Sequence, residues 1–582
     1  TVDIDRTPVE FWVSTSGNDT TGDGSKNNPF NTINHAITAA LDKSINITIH
    51  IMDGTYLGTG NVNLKYSRIA VLNLIGENYG KTIIDGQDND YFFYFDKGLD
   101  VDITNLTFTN GKAGNINWNR GIIYGSSLTM NDCIIKNSTS NSNLLYDIDT
   151  QNSKLVFNNL TYINNKGNMW LGYATINNSY FADNVGAALG GVIRGTNNLT
   201  VINSKFINNT NPKNSNAEGG AVYAQNIISI NNIYDSNYAG TKGGAVYVSG
   251  GAKATFINDT FINNRAAGDG GAVYAYISSS SFVPVATFEN VKFINNSGAN
   301  GGAATVSGAT FNNVTFKDNT ANTMGGAIYL FSVTNGKTSN IPDLTISDDS
   351  LFENNNAPEG KDIYISTPVA NNGVANVTGL TITFNDLNVA ELAGKLTAQV
   401  THPSGAVISG NTVTFFIDGN YAGIADVVNG IATYNYVGFE DGKYSLSGTY
   451  DANGKNYIYK NGTITVKINN ILDNITVYVS DAKGNDSTAD GSLAKPFKTI
   501  KNALEYAQSK SRTVTVYVLE GTYTGNLNAN LDIQVNTDIS IVGDGENKTI
   551  IFNPAAKYFI TALQGKGSLK IANMTIDRVG KD

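Results

Sequence analysis

The chain has 582 residues, a net charge of −10, only 15% charged residues and 60 glycines. This length exceeds the size at which one compact core stops growing, so several domains or an elongated repeat are expected. The acidic balance argues against nucleic-acid binding, which needs a basic face. Cys133 is the single cysteine, which excludes an intrachain disulfide. No apolar run approaches the roughly 18 residues of a membrane span, so none is predicted.

The N-terminal segment, residues 10–58, predicts a strand, a polar loop, an amphipathic helix and a second strand. Ile33, Ile37 and Ala40 would share one face of the helix, and Thr32 is the expected N-cap. An uncovered end of a solenoid would expose apolar core and unpaired strand edges. We therefore expect this helix to cover the end of a solenoid.

The central part of the chain repeats one phrase about eight times between Leu155 and Asn355, as in "ATFINDTFINN" and "ATFENVKFINN". A second phrase, Gly-Gly-Ala-Val-Tyr or a close variant, alternates with it at spacings of roughly 24 to 31 residues, too short for paired-helix repeats. Within the first phrase apolar and polar residues alternate, which predicts short strands. The sequence therefore predicts an all-β protein built on a right-handed parallel β-helix.

Each first phrase carries an aromatic residue three positions before its closing Asn. We expect the aromatic to point inward and stack, and the Asn to occupy a left-handed corner with its amide bonded to the next turn. The Gly pair is expected at a second corner. Residues assigned to this structural repeat include Phe206 and Asn209, Phe261 and Asn264, Phe293 and Asn296, and Phe316 and Asn319.

Three domains are predicted. Residues 1–378 would form the β-helix with its capping helix, and residues 379–470, with strands divided by turns, would form a β-sandwich. From Val477 the chain repeats its opening almost phrase for phrase, so residues 471–582 would begin a second β-helix. Because that second β-helix has only a few turns, we expect a longer array, or self-assembly through the open end.

These motifs carry family resemblances. The segment "WVSTSGNDTTGDGSKNNPFNTI" is similar to the N-terminal part of pectate-lyase-like parallel β-helix proteins. The Gly-Gly-Ala-Val and Phe-x-x-Asn motifs resemble repeats of polymorphic outer-membrane proteins and of adhesin-like surface proteins of methanogenic archaea. Residues 393–468 resemble bacterial Ig-like domains but lack the Ig cysteine pair. The resemblance implies an extracellular, cell-surface adhesin in which the Ig-like domain is a spacer.

The parallel β-helix also supports polysaccharide lyases and glycoside hydrolases, so fold alone leaves catalysis open. Glycoside hydrolysis needs two carboxylates flanking the bond. Asp348 and Asp349, with Asp343 upstream, are the best candidates, but they stand where other phrases have two Asn residues. We interpret them as structural substitutes for Asn and predict no catalytic residues.

Two acidic loops are candidates for calcium. Asp19 and Asp23 in "GNDTTGDGS" correspond to Asp486 and Asp490 in "GNDSTADGS", and oxygen ligands alternate with Gly in many calcium loops. Asp and Gly also build ordinary turns, which leaves both readings open. No other cofactor is predicted.

N-glycosylation sequons are dense along the chain. Those selected as candidate sites are Asn105, Asn137, Asn159, Asn258, Asn313, Asn376 and Asn461. We expect modification only at exposed sequons.

The function predicted from the sequence is a non-catalytic rod that binds carbohydrate or a protein on another cell or surface. Binding would use the long lateral face, where polar side chains and exposed Tyr residues meet the ligand. A polysaccharide lyase or glycoside hydrolase and a structural coat or filament subunit are the alternatives.

Overall fold

The computed structural model describes residues 7–67, 69–113, 121–186, 189–212, 217–249, 253–276, 286–331, 343–366, 376–450, 457–469, 471–534, 537–563 and 567–577. The chain divides into two compact units. Unit 1 comprises residues 1–380, 401–411 and 452–456, and unit 2 comprises residues 381–400, 412–451 and 457–582.

Unit 1 is an all-β parallel β-solenoid, as predicted. Strands of successive turns pair in parallel and form three long ladders and a short fourth one. Ladder I contains Val9–Val13, Asn46–Ile51, Val71–Gly76, Asp100–Thr104, Ser127–Asn131, Lys154–Asn158, Ala174–Asn177, the ends of Ile193–Ile202 and Val222–Ile230, Ala254–Ile257, Ala286–Glu289, Ala309–Asn312, Asp343–Ile346 and Asn376–Val377.

Ladder II contains Leu64–Tyr66, Phe93–Phe95, Ile123–Gly125, Thr139–Asp147, Lys166–Leu171, the beginnings of Ile193–Ile202 and Val222–Ile230, Val246–Val248, Val273–Ala275, Ala304–Val306, Ile328–Leu330, Ile363–Ile365 and Ile408–Gly410. Ladder III contains Gly54–Leu57, Thr82–Asp85, Thr107–Thr109, Ile134–Lys136, Thr161–Ile163, Tyr180–Ala182, Lys205–Ile207, Ile233–Asp235, Thr260–Ile262, Lys292–Ile294, Thr315–Lys317 and Leu351–Glu353. The short ladder contains Thr210–Asn211, Tyr238–Ala239, Arg265–Ala266, Ser297–Asn300 and Thr320–Met324.

The core of the solenoid contains a column of aromatic rings from ladder III. Because side chains alternate between the two faces of a strand, the central residue of each short strand turns inward. Phe206, Tyr234 and Phe261 are fully buried, and their neighbouring ring centroids lie 5.0 and 4.7 Å apart. The column continues through Phe293 and Phe316 with interplanar angles of 11° and 3°. The repeat thus places equivalent side chains directly above one another.

A second column consists of the Asn residues that close the first phrase. Asn264 is fully buried, and its Nδ2 donates to the Tyr234 carbonyl at 2.8 Å and to Asn296 Oδ1 at 3.1 Å. The same pattern recurs at Asn209, whose Nδ2 donates to the Phe181 carbonyl at 3.0 Å. The expected left-handed conformation belongs instead to the preceding residue, for example Asn263 with φ 56°. The closing Asn turns inward, and the residue before it makes the corner.

The Gly pairs form a different corner, and each member is needed for its own reason. Gly243 has φ 65°, a left-handed conformation in which a Cβ is strained. A Cβ added to Gly244 would lie 1.9 Å from the carbonyl oxygen of Gly271 in the next turn. Only a residue without a side chain therefore fits at the second position.

The helix Ile33–Leu41 packs against Val9–Val13 and Asn46–Ile51. Ile33, Ile37 and Ala40 are buried, and the Thr32 hydroxyl accepts a hydrogen bond from His35 N at 3.3 Å, which confirms the predicted face and N-cap. Apolar side chains at this spacing form one face of a helix, which here covers the first turns.

Unit 2 begins with a nine-stranded sheet in which most neighbours are antiparallel. In spatial order its strands are Leu387–Val389, Gly462–Val466, Gly442–Tyr450, Thr412–Ile417, Asn420–Val428, Ile431–Val437, Ala393–Thr401, Thr381–Phe384 and Ile458–Lys460. Alternate residues such as Val413, Phe415 and Ile417 are buried.

The rest of unit 2 consists of the helix Ile500–Lys510 and three parallel sheets. Their strands are Ile475–Val479, Thr513–Val518, Asp538–Gly543 and Leu569–Ala572; Gly521–Tyr523, Thr549–Phe552 and Thr575–Asp577; and Leu531–Gln534 and Ile560–Leu563. Contacts of the first turns of unit 1 recur here: Tyr56 Oη donates to the carbonyl of Met52 at 2.8 Å, and Tyr523 Oη to that of Leu519 at 2.9 Å.

Candidate functional site

One row of side chains runs along ladder II, with one residue from each turn. We call this row the ladder II stripe. Its members, in register from turn to turn, are Lys65, Tyr94, Tyr124, Tyr146, Trp170, Arg194, Tyr223, Tyr247, Tyr274, Thr305, Tyr329, Tyr364 and Ser409. Nine of these thirteen residues are aromatic.

The stripe lies on the outer face of the solenoid. Val222 and Ala224, which flank Tyr223 in its strand, are fully buried, so the alternation of the strand directs Tyr223 outward. The exposure of the members varies along the row. Tyr94, Tyr146, Trp170, Arg194, Tyr223, Tyr329 and Tyr364 are half-buried, whereas Tyr124, Tyr247, Tyr274 and Thr305 are buried. The outer face of ladder II therefore presents aromatic side chains in two stretches, Tyr146 to Tyr223 and Tyr329 to Tyr364, with buried tyrosines between them.

The central tyrosines are held in fixed positions by stacking. The rings of Tyr223 and Tyr247 are 5.3 Å apart with an interplanar angle of 12°, and those of Tyr247 and Tyr274 are 5.2 Å apart at 2°. Tyr329 and Tyr364 stack at 5.9 Å. Stacked rings give a rigid, amphipathic contact area that loses little entropy when a ligand binds.

Charged side chains border the stripe where the residue before a Gly pair is Glu, Lys or Asp. Glu218, Lys242 and Asp269 occupy this corner in three successive turns. Lys242 Nζ lies 4.7 Å from the Tyr274 ring centroid and 3.4 Å from Tyr274 Oη. The pKa of Glu218 is raised overall, because burial outweighs the lowering effects of a hydrogen bond with Tyr247 and of the Lys242 charge. The stripe thus combines ring edges and hydroxyls with both signs of charge.

The sequence contains a signal for the stripe in the same phrase that predicts the Gly corner. In the phrase Gly-Gly-Ala-Val-Tyr the aromatic follows the first Gly by four residues, as in Gly219 and Tyr223 or Gly243 and Tyr247. We interpreted the phrase only as a corner. The register between turns aligns these tyrosines, and it depends on long-range strand pairing.

The carboxylates considered for catalysis lie away from the stripe. Asp348 and Asp349 are exposed in the turn between the ladder I strand Asp343–Ile346 and the ladder III strand Leu351–Glu353. Asp349 Oδ1 accepts a hydrogen bond from Ser347 Oγ. The side chain of Asp343 lies outside the described residues. No catalytic assignment follows from this arrangement.

The predicted calcium loops have the same geometry in both units. Asp19 Oδ1 accepts from Asn31 N at 2.7 Å and Thr32 N at 3.0 Å, and Oδ2 accepts from Thr32 Oγ1 at 2.7 Å. Asp486 contacts Lys498 N and Thr499 in the same way.

The second carboxylates of these loops make local turns. Asp23 and Asp490 each accept a hydrogen bond, at 2.9 Å, from the backbone N–H two residues later. Within the described ranges, no three His, Cys, Asp or Glu residues are grouped as metal ligands are. Calcium binding at these loops stays a prediction.

Most of the selected sequons lie at left-handed corners of the solenoid. Asn105, Asn137, Asn159, Asn258 and Asn313 have φ between 50° and 60°. The Asn258 and Asn313 amides donate to Asn231 and Asn290 of the preceding turn at 3.1 and 2.8 Å. Asn461 is exposed in unit 2, and the Asn376 side chain lies outside the described residues. Where the side-chain amide of a sequon Asn donates to an Asn of the preceding turn, glycosylation of that amide would compete with the hydrogen bond.

Three comparisons connect the chain to known proteins. Residues 260–276 and 313–330 match the Chlamydia polymorphic membrane protein repeat, and residues 482–578 match a family described as protein of unknown function (DUF1565). A probable outer membrane protein, pmp7, of Chlamydia pneumoniae is 28% identical over 209 residues. The aligned part covers 32% of this chain and 21% of that relative.

Solved structures give weaker likenesses. The catalytic domain of a GH87 α-1,3-glucanase aligns with 60% of this chain and 66% of its own at 12% identity and a TM-score of 0.32. A rhamnogalacturonan lyase aligns with 63% of this chain and 84% of its own at 12% identity and a TM-score of 0.23. Likeness at this level is too weak to bear on function. In the described part of the chain, no helix has the length and apolar character needed to cross a membrane.

Proposed function

We propose that the chain is part of an extracellular cell-surface protein of adhesin type, and that it binds carbohydrate or a surface protein of another cell through the ladder II stripe. The observation that carries the proposal is the register of aromatic side chains along one outer face. The core of a solenoid is filled by its buried residues, so the half-buried members of the row, such as Tyr223 and Tyr329, are not needed to fill it. Rigid aromatic side chains with polar tips are enriched where proteins bind partners.

The comparisons support the surface location. The repeat matched by two segments and the relative from Chlamydia both belong to membrane or outer-membrane proteins by their names. We extend that location to this chain, and we propose glycosylation at the exposed sequons. An origin among adhesin-like proteins of methanogenic archaea rests on the sequence resemblance alone.

We also propose the domain organisation that suits such a protein. The nine-stranded sheet of unit 2 would be an Ig-like spacer, and its parallel sheets with the helix Ile500–Lys510 would begin a second β-helix. Support comes from a contact that each unit makes within itself. In unit 1, Ile33 N donates to Asn61 Oδ1 at 3.1 Å, and in unit 2, Ile500 N donates to Asn528 Oδ1 at 2.9 Å.

A glycan array, run in parallel with assays for reducing ends and unsaturated products, tests the proposal. We expect binding without product, and roughly tenfold weaker binding in Tyr223→Ala and Tyr329→Ala. Tyr180→Ala is the matched control, because Tyr180 is 42% exposed on ladder III, outside the stripe. Equal effects of all three substitutions would refute binding through the stripe.

Product formation would instead support the enzyme alternative, and Asp348→Asn and Asp349→Asn would then be tested for loss of product. Regular end-to-end particles in electron micrographs, without glycan binding, would support a coat or filament subunit.

A further inference from the structure

One position in the ladder II stripe is cationic. Arg194 stands in register between Trp170 and Tyr223, and its guanidinium carbon lies 4.0 Å from the Trp170 ring centroid. On its other side Trp170 meets Tyr146 edge to face, with centroids 5.3 Å apart. The cation is therefore fixed against an aromatic wall rather than extended into solvent.

The hydrogen-bonding capacity of this pair is incompletely used. Arg194 Nε and Trp170 Nε1 are both buried and have no acceptor within hydrogen-bond distance. Both groups can only donate, and a buried donor without an acceptor costs free energy. Two such donors in adjacent turns make this part of the stripe polar and rich in unused hydrogen-bond donors.

Arg194 also lacks an anionic partner. Among the described residues no Asp or Glu forms an ion pair with it. The segments outside the described residues that are nearest in sequence, 114–120, 187–188 and 213–216, contain no Asp or Glu. Burial lowers the pKa of the Arg194 guanidinium, yet an arginine stays protonated in proteins. A half-buried positive charge is thus left without a counterion.

We infer that Arg194 and Trp170 form a subsite for the carboxylate of a uronic acid unit in an acidic polysaccharide. This inference deepens the proposed function and rests on it. A guanidinium binds a carboxylate through two parallel hydrogen bonds, and Arg194 remains only half-buried, so a ligand can reach it.

A sugar suits this surface better than an acidic peptide does. Peptides often bind solenoids and sheets by adding a strand, but the strand that carries Arg194 is paired on both sides. What the surface offers instead is aromatic rings and hydroxyls from Tyr146, Trp170 and Tyr223, which match the apolar faces and hydroxyls of sugar rings.

The experiment compares matched pairs of oligosaccharides. Oligouronates built from galacturonate, glucuronate or mannuronate are immobilised as free acids and as methyl esters, beside neutral glycans, a sulfated glycan and polyglutamate. The whole chain is tested as wild type, Arg194→Gln, Arg194→Lys and Arg265→Gln. Arg265 is an exposed arginine of the short ladder and serves as the control. Thermal melting of every variant establishes that it is folded.

We expect at least one oligouronate to bind roughly tenfold to a hundredfold more tightly than its methyl ester. Arg194→Gln should abolish that difference while leaving ester and neutral-glycan binding in place. Arg194→Lys should retain part of the preference, because it keeps the charge but loses the paired hydrogen bonds, and Arg265→Gln should keep all of it.

Equal binding of every acid and its ester, an unchanged preference in Arg194→Gln, or binding of polyglutamate or the sulfated glycan alone would overturn the inference and leave the glycan-binding proposal intact. Absence of binding to any glycan, neutral ones included, would overturn both.

Discussion

The buried Asn column offers a sharp test of what stabilises the solenoid. In Asn264→Leu the side chain keeps a similar volume but loses its hydrogen bonds. The Asn264 Oδ1 now accepts from Asn237 N and Nδ2, each at 3.0 Å, and its Nδ2 donates to the Tyr234 carbonyl. The substitution thus removes the acceptor of one buried backbone N–H and the donor to one buried carbonyl.

The Asn237 N–H is left unsatisfied, which costs about 1–3 kcal/mol in the free energy of unfolding, and the Tyr234 carbonyl loses one of its two hydrogen bonds, which adds about 0.5–1.5 kcal/mol. Urea unfolding followed by circular dichroism measures this loss. Hydrogen exchange at the Asn237 amide localises it, because that N–H loses its acceptor.

The matched control is Asn258→Gly. Asn258 is exposed, and its corner, with φ 54°, suits Gly. We expect a change within about 1 kcal/mol. If Asn264→Leu cost no more than Asn258→Gly, or left Asn237 exchange unchanged, the column would not stabilise the fold in the way argued here.

Three further predictions concern packing, protonation and capping. Gly244→Ala places a Cβ against the Gly271 carbonyl and should prevent native folding, whereas Gly98→Asn, at a site with open space, should melt near the wild-type temperature; equal melting would contradict the corner geometry. Burial raises the pKa of Asp259 from an unfolded value near 3.8 to about 7, so the contribution of Asp259 to stability is greatest at low pH and falls, by up to about 4 kcal/mol, as pH rises through that window. Asp259→Asn should therefore raise the melting temperature at pH 8 but not at pH 4, and a parallel pH profile in both proteins would refute the assignment. Asp486→Ala removes the contacts that hold Thr499 at the start of its helix and should cost about 1–2 kcal/mol; calorimetric titration with calcium, before and after this change, tests the metal prediction, and a calcium response that is the same in both proteins would place any site elsewhere.

Much of the fold could be predicted because it is local and repeated. The alternation in "ATFINDTFINN" marks a strand with one buried face, and its recurrence identifies a solenoid. The inward aromatic column, including Phe261 and Phe293, follows from these two facts, since equivalent positions of successive turns must coincide. The conformation of the closing Asn was not predictable in the same way: Asn263 and Asn264 are chemically identical, and only the direction of the chain at the corner decides which one turns inward.

The sequence by itself determined the strand period, the Gly-pair corner and the helix at the beginning of the solenoid, because each depends on neighbours within a few positions. The tertiary structure alone decided that Trp170 and Arg194 join the tyrosines of the ladder II stripe. Trp170 and Arg194 are 24 residues apart and belong to phrases that do not resemble each other, so no local pattern joins them. Their contact depends on the length of the turn between them and on the parallel register that the buried core imposes.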